Sequence, residues 1–205
     1  MSHHRTIEQT VFSILPIDIG GLKVLDVGMG EGLWGFILKT QKNGKFHLTG
    51  VEPFIDHIFN LKKVHIYDEL YPMKGQQYFE FYPEAKFDII LLLEVIEHDT
   101  KEESIKLIKS LEKRMNHGGL MIVSTPDGFS EGAKGYAGND ANKHMSGWSR
   151  TELQDLGYIT QSIRKDVNWG RVPNWFASIW YMLRLHRMPV TRSLIAWKHQ
   201  IAVKS

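Results

Sequence analysis

The chain contains no cysteine, which excludes a disulfide framework and any thiolate-bound metal. It also has no apolar run approaching the ~20 residues of a membrane-spanning helix. No signal-peptide stretch follows Met1-Ser2-His3-His4-Arg5. A soluble, cytoplasmic protein is the expectation from these absences. Internal repeats and low-complexity segments are lacking as well, and acids are scarce in one region only. Up to residue 163 there are 17 Lys/Arg against 22 Asp/Glu, whereas residues 164–205 hold 8 against Asp166 alone. Such a basic tail suits phosphate, an acidic lipid surface or an anionic substrate, and equally the solvated face of an ordinary helix and strand.

What the chain does have is enough apolar material for one core, with 205 residues of which 42% are hydrophobic. It is organised around Val24-Leu25-Asp26-Val27-Gly28-Met29-Gly30-Glu31-Gly32-Leu33-Trp34-Gly35. A short apolar run ends in an acid and alternating glycines, then passes into a helical pattern. The run reads as a buried parallel strand, followed by a tight turn that opens a helix. Glycine suits a turn whose backbone takes restricted angles and which a ligand approaches closely. The dinucleotide fingerprint G-x-G-x-x-G would place its third glycine at Leu33, so the pattern is instead D-x-G-x-G-x-G, from Asp26 to Gly32. A second apolar strand, Leu48-Thr49-Gly50-Val51, ends in Glu52-Pro53 about twenty residues on, where a carboxylate can accept both ribose hydroxyls.

With these two landmarks the chain resembles the class I S-adenosylmethionine-dependent methyltransferases. The resemblance covers about residues 22–160 and implies a Rossmann-like α/β fold: a doubly wound seven-stranded sheet, mostly parallel with an antiparallel last strand, and helices on both faces. It implies S-adenosylmethionine as cofactor, S-adenosylhomocysteine as product, and donor contacts from Asp26, Gly28, Met29, Gly30, Gly32, Glu52, Pro53, Leu93 and Glu94. Residues 1–205 are expected to form one methyltransferase domain, with a 22–160 core and an aromatic helical insertion at 167–193. In this class an Asp after the third strand usually meets the adenine amino group; here Met73-Lys74 occupies that place.

Taken in order, Ile7, Val11, Phe12 and Leu15 are spaced for an amphipathic helix before Pro16. Strand one spans about Lys23 to Val27. The helix after Gly32 is expected to bury Leu33, Phe36 and Ile37 and to stop at Asn43-Gly44. Strand two is Phe46 to Val51, and Asp56 to Lys63 reads as a short helix. Either His65-Ile66-Tyr67 or Glu69-Leu70-Tyr71 supplies the third strand, and Gln77 to Tyr82 fits helix or strand. Phe87 to Leu93 is apolar apart from Asp88 and therefore central. Thr100 and Glu103 form a capping box before a helix carrying Ile105, Ile108, Leu111 and Met115, ended by Gly118-Gly119. Leu120 to Ser124 is strand five. A long glycine-rich loop, Thr125 to Trp148, carries Gly138-Asn139 and precedes a second capping box, Ser149 with Glu152, and a helix stopped by Gly157. Tyr158 to Asp166 and Ile195 to Val203 are the last strands. Between them, Trp175, Phe176, Ile179, Trp180, Met182 and Leu183 are spaced as an aromatic helix. Such a helix fits core packing, a substrate lid, a dimer face or peripheral membrane contact.

The chemistry gathers at Glu94-Val95-Ile96-Glu97-His98 and at His144-Met145-Ser146-Gly147-Trp148. Acids at a helix start are common for dipole reasons alone. The Glu-Val-Ile-Glu-His motif also resembles methyltransferases of the ubiquinone-biosynthesis type and of the small-RNA 2′-O-methylating type. The second likeness implies that Glu94, Glu97, His98 and His144 hold Mg²⁺ or Mn²⁺ beside an acceptor hydroxyl. Without a metal, His98 or His144 suits a general base, with Glu97 as a further catalytic candidate. The loop Thr125-Pro126-Asp127-Gly128, the Gly138-Asn139 pair and the His144 to Trp148 stretch resemble stand-alone bacterial and archaeal methyltransferases of glycans, lipid precursors or other small metabolites, which implies O-methylation of a small hydroxylated or glycan-type acceptor. Two alternatives are an RNA ribose or end methyltransferase with a divalent metal, and a non-catalytic protein that keeps the fold as a scaffold.

Overall fold

The computed structural model describes residues 2–42, 45–54, 56, 65–129, 143–164 and 192–200, with side chains from Ile7 onward except those of Arg164 and Arg192. The expected Asn43-Gly44 stop, most of the 56–63 helix, Gly138-Asn139, the aromatic insertion up to residue 191 and the end of strand seven beyond Gln200 lie outside the described residues.

Seven strands form one sheet: β1 (Lys23–Val27), β2 (His47–Val51), β3 (Glu69–Tyr71), β4 (Phe87–Leu93), β5 (Met115–Pro126), β6 (Ile159–Arg164) and β7 (Arg192–His199). Their spatial order is β3-β2-β1-β4-β5-β7-β6. The first five pair in parallel, and β7 runs antiparallel between β5 and β6. This is the doubly wound, seven-stranded Rossmann-like sheet that the family resemblance implies. β4 is buried at every residue but half-buried Asp88, as a central strand covered on both sides must be. Two apolar clusters flank the sheet. One packs Ile90, Leu92, Ile108, Leu111 and Trp148, and the other packs Val11, Leu38, Leu48, Ile89 and Leu91. The N-terminal helix, Ser2–Ile14, contributes Ile7 and Val11 to the second cluster, joined by Leu15 just beyond it.

Several local expectations change on contact with the fold. Of the two candidates for strand three, Glu69–Tyr71 pairs with β2, while Tyr67 becomes a core residue. Gln77 to Tyr82 is helical, within Gly75–Phe81 and its C-cap Tyr82. In the helix Leu33–Gln41 the buried residues are Gly35, Ile37 and Leu38, whereas Leu33 and Phe36 are exposed. The reason is Gly35: a Cβ there would lie 2.4 Å from the ring of Tyr67, so the backbone itself packs on the phenol. The helix is thereby turned so that positions 35 and 38 meet the sheet. The helix Lys101–Glu112 buries Ser104, Leu107, Ile108 and Leu111 and ends before Gly118-Gly119. Those glycines sit inside β5, where the register jumps between Phe87↔Met115 and Ile89↔Leu120. Met115 is thus a strand residue. β7 begins at Arg192, three residues earlier than expected, because its ladder to β5 starts at Ser193↔Pro126. Arg192 and Ser193 therefore belong to β7 and not to the insertion. Both capping boxes are present as read.

No helix among the described residues is long and apolar enough to cross a membrane. The central strand sets the stability. Leu91→Ala, at a position with no exposed surface, should lower the unfolding free energy by about 2–5 kcal/mol. Ile17→Ala, at a 95% exposed side chain, should change it by less than about 0.5 kcal/mol. Urea titration of both variants checks the contrast.

Candidate functional site

Parallel register brings the ends of β2, β1 and β4 to one level: Val27 stands between Val51 and Leu92. Just past those ends lie the glycine turn, Glu52 and Glu94. They share a cavity of about 400 Å³, into which Gly28, Met29, Gly30, Glu52, Pro53, Leu93 and Glu94 all face. A larger depression of about 590 Å³ lies at the opposite end of the sheet, between Lys109, Lys113 and Lys198, and contains no motif residue. Motif residues from three separate strands meet only in the first, which is the candidate site.

The turn is shaped for close approach. Gly28 has φ 69°, and a Cβ there would sit 2.5 Å from a Val95 methyl. Gly30 has φ 52°, with nothing within 4 Å of where its Cβ would be. A side chain at this position would project into that open space. Glu52 is 8% exposed and braces the turn as well as lining the cavity. Its Oε2 accepts the Gly30 N–H at 2.9 Å, and its Oε1 accepts the Phe54 N–H at 2.9 Å. Gly32, also at positive φ, is the N-cap of the following helix and does not line the cavity. Asp26 does not line it either. Its carboxyl is buried, and Tyr67 Oη donates to Oδ2 at 2.7 Å. Burial pushes Asp26 up to about 7; the Tyr67 hydrogen bond opposes the rise, and the charge of Glu52 adds to it.

Where the resemblance expects an adenine-side Asp, Lys74, Gly75 and half-buried Gln76 line the wall. Lys74 reaches across to Asp99, Nζ to Oδ1 at 3.2 Å. Trp34, Gln76 and Asp99 are lining residues that motif reading passed over. Trp34 and Asp99 do stand next to motifs, two residues after Gly32 and one after His98, but Gln76 carries no local signal.

The other end of the cavity is built on a strained turn. Glu94 has φ 56°, a left-handed conformation unusual for a residue with a Cβ. Its N–H donates to the Ser124 carbonyl at 2.9 Å, and Ser124 Oγ donates to Glu94 Oε1 at 2.8 Å. His98 lines the cavity. Burial and the neighbouring His144 hold its imidazole below the usual histidine range, against the upward pull of the Lys143 carbonyl, Glu94 and Asp99.

His144, 46 residues further on, is brought here by main-chain docking of its own motif. The Glu97 carbonyl accepts N–H groups from Met145 at 2.7 Å and Ser146 at 3.1 Å. The Ile96 carbonyl accepts from Ser104 Oγ at 2.7 Å, Ser146 Oγ at 3.1 Å and Trp148 Nε1 at 3.2 Å. The His98 and His144 rings then meet edge to face, with centroids 5.0 Å apart. One ligand atom from each of Glu97, His98 and His144 lies within 4.8 Å of the others. A carboxylate with two imidazoles is a donor set that fits a divalent ion. Glu94, the fourth expected ligand, is not in this group.

The buried Asp26 generates a stability prediction. Its folded-state value lies above that of an unfolded Asp, 3.8. Its contribution is therefore fully present below about pH 4 and is lost as the pH rises towards about 7. Asp26→Asn still accepts from Tyr67 but cannot ionise. It should unfold like the parent at pH 4 and be more stable by up to about 4 kcal/mol at pH 8, measured by denaturant titration across that range.

Comparison with known proteins bears on the same features. Among curated protein sequences, none matches the chain significantly. Solved structures do share its fold. A SAM-dependent methyltransferase from Archaeoglobus fulgidus is 17% identical with a TM-score of 0.61, over 95% of this chain and 94% of its own. The cyclopropane synthase MmaA2 from Mycobacterium tuberculosis is 11% identical with a TM-score of 0.66, over 93% and 82%. The N-methyltransferase NodS from Bradyrhizobium japonicum is 12% identical with a TM-score of 0.58, over 98% and 95%. The model of the methyltransferase domain family matches residues 2–157, a span that contains the glycine turn, Glu52, His98 and His144, and the chain therefore belongs to that family.

Proposed function

We propose that this methyltransferase takes S-adenosylmethionine as donor and transfers the methyl group to a hydroxyl of a small or glycan-type acceptor. The observation that carries it is His98, an imidazole in the wall of the cavity that the glycine turn and Glu52 also line. The open backbone at Gly30 and the Glu52 carboxylate in the cavity wall fit the methionine and ribose portions of such a donor. When bound, the donor supplies a sulfonium methyl, an electrophile that needs no further activation. The protein's part is to hold the acceptor oxygen in line and remove its proton. On transfer to the acceptor oxygen the C–S electron pair would leave with sulfur, and the imidazole of His98, in the cavity wall, would take the hydroxyl proton. His144, edge-on to that ring, is placed to orient it or to pass the proton on.

A metal-dependent variant of the same chemistry, including an RNA ribose or end methyltransferase, is favoured by the proximity of Glu97, His98 and His144. These residues would hold the ion, whose charge would favour the acceptor alkoxide. Glu94, whose Oε1 accepts from Ser124 Oγ, lies outside that group.

Titration with S-adenosylhomocysteine should show binding that Glu52→Ala weakens at least about tenfold. His98→Asn should bind the product as the parent does, yet lose about 10²-fold or more of the turnover of a hydroxyl acceptor. A panel of sugars, phenols and nucleosides, set against amines, decides the acceptor atom; turnover confined to amines refutes O-methylation. Activity that survives excess EDTA in protein free of metal removes the metal variant. RNA binding that ignores salt counts against a phosphate-tracking substrate.

A further inference from the structure

Tyr67 belongs to neither motif and does not line the cavity, yet it packs or bonds against residues on both sides of the glycine turn. Its ring lies in a notch made by two glycines from different elements. A Cβ on Gly35 would stand 2.4 Å from the phenol Cζ and 2.5 Å from its oxygen. A Cβ on Gly50 would stand 2.8 Å from Cδ1 of the same ring and 2.2 Å from Sδ of Met29. Tyr67 and Met29, a residue of the donor turn, therefore share the space that Gly50 leaves open. The hydroxyl at the far end of the ring donates to Asp26, the last acid before the turn. Asp26 itself pairs with Gly50 across the β1–β2 ladder.

The tyrosine is held from behind as well. Asp68 N–H donates to the Leu48 carbonyl, Asp68 Oδ2 accepts the Leu48 N–H at 2.7 Å, and Lys39 Nζ pairs with Asp68 at 3.0 Å. These bonds tie the residue after Tyr67 to β2 and to the helix Leu33–Gln41 together. The phenol is 7% exposed and Asp26 is 1% exposed, so water cannot readily replace the bond between them.

We propose that Tyr67 is a positioning residue for the methyl donor. Through its hydroxyl it fixes the Asp26 carboxyl, and through its ring it fixes Met29 and the start of the helix after the turn, without touching the donor. The sequence acids then have distinct jobs: Glu52 faces the ligand, and Asp26 is the internal anchor that Tyr67 holds. This rests on the donor assignment given above.

The test is binding of S-adenosylhomocysteine by calorimetry, with folding of each variant checked by thermal unfolding. Tyr67→Phe keeps the ring and loses the bond, and should bind about tenfold more weakly. Asp26→Leu, which fills the space without an acceptor, should show the same loss. Asp26→Asn, which still accepts from the hydroxyl, should restore affinity to within about threefold of the parent. A merely space-filling role predicts the reverse order, with Leu no worse than Asn. Should Tyr67→Phe not fold, Gly35→Ala, which crowds the same hydroxyl, should weaken binding in its place. Parental affinity in Tyr67→Phe overturns the proposal, as does an Asp26→Asn variant as weak as Asp26→Leu, which would make the carboxylate charge itself the ligand contact. If the unmodified protein binds no S-adenosylhomocysteine, the donor assignment falls, and this proposal with it.

Discussion

The site depends on parallel register. With Val27 opposite both Val51 and Leu92, three chain segments leave the sheet side by side, and each must turn at once. β1 turns with glycines, β2 with Glu52-Pro53, and β4 with Glu94 forced into the left-handed region. Parallel strands slant their hydrogen bonds and leave unpaired polar groups at their ends. Here the free N–H of Gly30 is met by Glu52, and the N–H of Glu94 by the Ser124 carbonyl, both from neighbouring strands. A slip of one residue in either ladder would separate the acids from the turn and reverse which side chains face the core. The cavity therefore follows from the pairing that makes the sheet.

Much of this was legible because the local signals and the global fold agree. The Asp26–Gly32 pattern, the acid after β2, the apolar β4 and the two capping boxes each report a feature set by nearest neighbours. The seven-stranded sheet with its antiparallel last strand followed from the family likeness that those features carry. What was misplaced depends on contacts distant in sequence. Leu33 and Phe36 look like the buried face by periodicity, but Gly35 packing on Tyr67 fixes the rotation of the helix. Gly118-Gly119 resembles a helix stop, but the register jump against β4 makes it an irregularity within β5. Short β3 could not be told from the residues before it, since one becomes an edge strand and the other a core phenol.

The site itself was legible in outline and not in the division of labour. Gly28, Met29, Gly30, Glu52, Pro53, Leu93 and Glu94 do share a cavity, while Asp26 and Gly32 support it from outside. Composition cannot separate an acid that faces a cavity from one that faces a tyrosine. Gln76 reached the wall through a helix whose start carries no strong marker. His144 joined His98 because carbonyls, which sequence motifs do not display, accept its motif's backbone and indole donors.

The docking of His144 to Trp148 has a consequence for how this enzyme could diversify. Gly128 donates to the Trp148 carbonyl at 2.7 Å, so the chain leaving β5 and the chain returning to the helix Arg150–Asp155 are clasped at one point. An insertion between two points held in this way adds only a slowly growing loop-closure entropy. Insertions between them would leave the pairing of the sheet and the glycine turn untouched. The clasp thus lets chain length vary between β5 and the helix Arg150–Asp155 without disturbing the strands that hold the glycine turn and Glu52.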